Sequence, residues 1–138
     1  MKKLTTALIA FLLSQTSSAK SPLSKLYGSW DLVEHGYFEN EIFHPSGENL
    51  SGKLVYSPNN EMIVLITYDK DGKRETISYA GDLLLEDGNI VHHVKIAHHP
   101  KRVGRKEIRS YRLTKNQLIL QASGKKRSYQ ITWKRSSP

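Results

Sequence analysis

His92 and Arg109 are the residues of this chain best placed to do chemistry. They lie in one stretch, GNIVHHVKIAHHPKRVGRKEIRSYRL, from Gly88 to Leu113. His92 alternates in phase with Ile90, Val94 and Ile96, and Arg109 with Tyr111 and Leu113. A β-strand sends every second side chain to one face. Both polar groups therefore fall on apolar faces, where polar atoms must find partners. An imidazole with an ordinary pKa of about 6.5 suits general acid–base work, as in an isomerase or cyclase. A guanidinium keeps its proton, so an inward-facing arginine needs a carboxylate, backbone carbonyls or an anionic ligand. Tyr56, Tyr79 and Tyr111 share parity with apolar neighbours and add hydroxyl groups. Tyr56, Tyr79, His92, Arg109 and Tyr111 form the expected ligand-binding set.

Each of these residues also has a purely structural reading. His92 is more economically a core histidine held by Tyr79, Tyr111 or Arg109, since buried polar groups are usually just satisfied. Arg109 has Glu75, Asp82 and Glu107 as candidate acids, and Glu107 shares its strand and parity. Stacking on Trp30 is the other structural use of Arg109. No serine stands in a Gly-x-Ser-x-Gly setting and no two carboxylates share an apolar face. No catalytic residue is assigned. A hairpin centred between Lys101 and Arg102 would set His92 opposite Tyr111 and Val94 opposite Arg109. His92 and Arg109 would then be diagonal neighbours in one interior polar site.

The remaining histidines do not make a metal site. His92 and His98 share a parity but lie roughly 20 Å apart along a strand, far beyond zinc–nitrogen bonds of about 2.0–2.1 Å. No metal and no cofactor is expected. The basic pairs Lys101-Arg102 and Arg105-Lys106 and the triplet Lys125-Lys126-Arg127 sit at turns without interleaved aromatics. They read as solvated turns, and no nucleic-acid partner is expected.

These residues need a scaffold, and composition bounds it. Lys2-Lys3, the apolar run Leu4–Leu13 and Ser17-Ser18-Ala19 read as a signal peptide cleaved after Ala19. The run is about half the roughly 20 residues of a spanning helix, so no stable membrane anchor is expected. The chain is read as periplasmic or secreted. It has no cysteine, which excludes disulfides, thiol catalysis and Cys-based zinc sites. The formal net charge of +8 favours solubility over any particular polyanion.

Past a polar lead-in at residues 20–25, a single domain at 26–135 is a succession of short alternating runs. They are Leu26–Val33, a weaker Gly36–Phe43, Gly52–Ser57, Met62–Tyr68, Glu75–Leu85, Asn89–His98, Lys106–Leu113, and the runs around Leu118–Ala122 and Tyr129–Trp133. Met62–Tyr68 is apolar enough for both faces to be covered. His44–Asn49, Pro58–Asn60, Asp69–Gly72, Glu86–Gly88, Thr114–Gln117 and Ser123–Lys126 are turns or loops. Eight to nine strands with hairpin-length links predict an all-β, small antiparallel up-and-down barrel. Trp30 and Trp133 then meet where the first and last strands close.

In order along the chain, Gly28-Ser-Trp-Asp-Leu-Val, Gly52-Lys-Leu-Val-Tyr-Ser-Pro, Tyr79-Ala-Gly81 and Val91-His-His-Val94 followed by Pro100, Gly104 and Arg109 resemble the lipocalin-like domain family. The resemblance implies a barrel with an internal cavity. At Lys101-Arg102-Val103 the chain departs from that pattern, which has an aromatic residue there. Its Asp69–Glu75 loop is short, which implies a smaller lid. The expected function is an exported, monomeric binder of a small hydrophobic or amphipathic molecule. The alternatives are an enzyme using His92 and a barrel filled by its own side chains.

Overall fold

The computed structural model describes residues 21–137; the signal peptide read at the N-terminus lies outside them. Nine strands follow in order: β1 (Gly28–Glu39), β2 (Ile42–Pro45), β3 (Glu48–Tyr56), β4 (Glu61–Lys70), β5 (Lys73–Glu86), β6 (Asn89–Ala97), β7 (Lys106–Leu113), β8 (Gln117–Ser123) and β9 (Ser128–Arg135). All neighbours are antiparallel, and β1 also pairs with β9. Eight strands thus close a barrel, with β2 as an extra piece beside the second half of β1. No described helix is long and apolar enough to cross a membrane.

The seam joins Trp30–Phe38 to Arg135–Ser128, with Leu32 opposite Trp133. Trp30 and Trp133 are fully buried beside Leu54, Leu83, Ile90 and Leu118. The described part of the lead-in, residues 21–25, is more than a polar segment. A 3-10 turn at Ser24–Leu26 carries Leu26 into the core, with Leu23 beside it. The Leu26 carbonyl accepts the Trp30 indole N–H at 3.0 Å. Arg135 lies 4.1 Å over the Trp30 ring and donates to the carbonyls of Tyr27 and Lys25. The arginine that stacks on Trp30 is therefore Arg135 and not Arg109.

Several element boundaries differ from the sequence reading. β1 is one strand of 12 residues. A turn at Asn40-Glu41 interrupts the run read as Gly36–Phe43, and both residues have positive φ, 50° and 64°. Glu41 is an uncommon residue for that conformation, so no glycine marks the turn. On β4 only one face is covered. Met62, Val64 and Ile66 point inward, while Ile63 and Leu65 are exposed, because an antiparallel barrel wall meets solvent outside.

Two β-bulges matter for function. On β1, pairing with β9 slips between Leu32 and Glu34. The inward phase then passes from Trp30 and Leu32 to His35. On β6, pairing with β5 slips at Lys95, where Ala80 faces Ile96 and Gly81 faces Val94. Ile96 is turned outward, 71% exposed, and Ala97 packs inward. The parity that joined Ile96 to His92 ends at this bulge. Gly81 makes it possible: a Cβ there would lie 1.9 Å from the His93 carbonyl oxygen and 2.9 Å from the Lys95 nitrogen.

Gly81→Ala is expected to cost at least about 2 kcal/mol, in the upper range for single substitutions. Gly88→Ala, in a turn with open space around it, should cost only the left-handed penalty of about 1–2 kcal/mol. Urea unfolding of both variants checks this, and equal losses would reject the role given to the bulge.

Candidate functional site

The hairpin of β6 and β7 positions the polar interior. His92 pairs with Glu107 and Ile90 with Arg109. The expected pairings of His92 with Tyr111 and of Val94 with Arg109 are not formed. The connection holds a 3-10 turn at Pro100–Arg102 and a left-handed Gly104, and β6 runs past the start of β7. That moves the partner of His92 four residues along β7. His92 and Arg109 are still diagonal neighbours across the pair.

His92 is bracketed by two phenols. Tyr56 Oη lies 2.6 Å from Nε2 and Tyr79 Oη 3.1 Å from Nδ1. β3, β5 and β6 thus each contribute one member of a buried chain. Burial pushes His92 down to about 3, and the Arg109 charge pushes the same way. Burial also raises Tyr79 to about 12 and Tyr56 well above its ordinary value. With both ring nitrogens engaged, His92 has none left to face a substrate.

Above this chain the barrel is hollow. A cavity of about 540 Å³ opens between the β6–β7 and β8–β9 connections. Ile66, Ile77, Leu120 and Ile131 supply its apolar wall, and Tyr79, Arg102, Arg105, Glu107, Arg109 and His35 its polar one. Such a volume lies within the roughly 300–1,000 Å³ of small-molecule sites. Arg102 Nη1 donates to Glu107 Oε1 at 3.0 Å and Arg109 Nη2 to Oε2 at 3.3 Å. The three side chains are 27%, 19% and 15% exposed for Arg102, Arg109 and Glu107. One carboxylate thus serves two guanidiniums, and the cluster keeps an excess positive charge. Arg102 also lies 5.1 Å over the Tyr79 ring, and Arg109 donates to the Ile108 carbonyl at 3.0 Å.

Of the five residues expected to bind ligand, Tyr79 and Arg109 line the cavity. Tyr56 and His92 lie beneath it and do not form its wall. Tyr111 stands opposite Leu120 and packs against the core cluster. The Arg109 partner is Glu107; Asp82 pairs with Lys95 at 2.8 Å and Glu75 is exposed. Arg102, read as part of a solvated turn, turns back into the cavity. His35 was missed because the β1 bulge reverses its face. Its Nδ1 lies 2.6 Å from Ser46 Oγ. Burial, with the charges of Arg109 and Arg102, pushes it down to about 4.

The fold is a closed antiparallel barrel with an internal cavity, as the resemblance implied. The family model described as a lipocalin-like domain matches residues 69–136, from the end of β4 through β9. The resemblance read from the sequence is thereby borne out over this segment. Among solved structures, a complex of bovine odorant binding protein with undecanal is similar at 17% identity and a TM-score of 0.47, over 88% of this chain and 77% of that one. No curated protein gives a significant match.

The buried histidines set a pH dependence. Unfolded, His92 titrates near 6.5; folded, it stays neutral down to about 3. Between those values the unfolded chain binds a proton that the native chain does not. Stability therefore falls as pH is lowered through this window, by up to about 1.4 kcal/mol per pH unit from this group. His35 acts with the same sign down to about 4. Denaturation midpoints of His92→Gln are expected to fall less steeply below about pH 6.5 than those of the wild type. Parallel curves would reject the assignment.

Proposed function

We propose that the chain is an exported carrier whose barrel takes up a small amphipathic anion, its tail against Ile66, Ile77, Leu120 and Ile131 and its head on Arg109 and Arg102. The observation that carries this reading is the arginine pair sharing a single carboxylate in a cavity whose opposite wall is apolar. A charge cluster serving the fold alone would be expected to balance. Arg105 lines the same cavity, and Lys101, Lys125 and Lys126 stand exposed in the two connections beside its mouth. Their field draws anions toward the opening. Barrel closure is compatible with a monomer, because it pairs the edges of eight strands and leaves only the short β2 with a free edge among the described residues.

The wild type is expected to bind laurate or a comparable amphiphilic acid in calorimetry and to gain thermal stability with it. Arg109→Met should remove a charge-assisted hydrogen bond worth about 1.5–3 kcal/mol, a loss of roughly tenfold or more in affinity. Glu107→Gln should tighten binding, because the ligand then no longer competes with a carboxylate. If no amphiphilic acid binds the wild type and Arg109→Met only lowers the melting temperature, the barrel is structural.

Export carries its own check. Lys2-Lys3, Leu4–Leu13 and Ser17-Ser18-Ala19 support cleavage after Ala19. Mass measurement of the protein recovered from outside the cytoplasm should show Lys20 as the first residue. A membrane-bound, full-length product would reject this.

A further inference from the structure

The chain Tyr56–His92–Tyr79 has three protons and two internal hydrogen bonds. A neutral imidazole donates from one ring nitrogen and accepts at the other, so two arrangements exist. With the proton on Nε2, His92 donates to Tyr56 and Tyr79 donates to Nδ1. The Tyr56 O–H is then left without an acceptor. With the proton on Nδ1, Tyr56 donates to Nε2 and Nδ1 donates to Tyr79. The unused O–H is then that of Tyr79.

The surroundings of the two phenols decide between them. Tyr56 is 1% exposed, lies outside the cavity wall, and has His92 as its hydrogen-bond partner among the described residues. A buried donor with nowhere to go is penalised. Tyr79 borders the cavity, where an occupant can supply the acceptor. We propose that His92 is the Nδ1–H tautomer and that Tyr79 is thereby a committed hydrogen-bond donor to the head of whatever fills the cavity.

The second half of this proposal rests on the carrier reading; the first does not. It narrows the ligand to molecules whose head carries an accepting oxygen, a carboxylate before all others given Arg109 beside it. Tyr56 becomes a positioning residue: it touches no ligand, but it sets which way the hydrogen bonds run.

The tautomer is read by long-range proton–nitrogen NMR on the labelled protein. A protonated Nδ1 and a bare Nε2 at His92 are expected, and the opposite pattern overturns the proposal. Calorimetry with laurate tests the consequence. Tyr79→Phe should weaken laurate by about five- to tenfold. Tyr56→Phe, which keeps the ring in the core, should weaken it several-fold and bring in the Nε2–H signature. Undiminished binding to Tyr79→Phe overturns the donor role. If the wild type binds no laurate, the carrier reading and the role of Tyr79 fall together, while the spectrum still decides the tautomer.

Discussion

Between Trp30 and Phe38 the first strand lies against the last, and every other strand takes its place from that ladder. Closing eight strands leaves an interior just wide enough for side chains or for one small ligand. This chain does both along a single axis. At one end Trp30, Trp133, Leu54 and Leu118 fill the space, with Leu26 packed beneath. Arg135 ties the C-terminal strand to the carbonyls of Lys25 and Tyr27. At the other end Ile66, Ile77, Leu120 and Ile131 leave a cavity. The two indoles stop short of the cavity, where arginines bend aside onto Glu107.

The hydrogen bonds between the two ends link packing to recognition. Tyr56 belongs to the filled half and Tyr79 to the hollow one, with His92 between them. A histidine held neutral in this way contributes no charge to the interior. The charge comes instead from Arg102, Arg105 and Arg109, with Glu107 as the single acid in the cavity wall. Neutral core and cationic cavity thus sit within one barrel without an unpaired charge in the dry part.

Much of the scaffold was legible in the residues. Asp71-Gly72 and Asp87-Gly88 do form tight turns of positive φ, and the alternation of β4 to β9 places most core residues correctly. The two tryptophans lie buried on the two strands of the seam, as their phases implied. What stayed hidden has physical causes. A bulge inserts one residue and reverses the face of all that follow, so His35 and Ile96 exchanged sides against a simple count. The Asn40-Glu41 turn carries no glycine. Arg102 enters the cavity from a connection whose 3-10 turn no periodicity reveals, and that same turn offset the β6–β7 register. Arg109 and Tyr79 were placed by parity alone because no bulge intervenes between them and their apolar neighbours at the cavity.

Both indoles of the chain lie at the filled end, and the aromatic rings of the cavity wall are those of Tyr79, Tyr129 and His35. Tryptophan emission is therefore a gauge of whether the barrel is closed and not of whether it is loaded. An occupant would leave the indole spectrum almost untouched and register in the phenol absorbance of Tyr79 instead. Optically, the molecule carries separate reporters for its fold and for its contents.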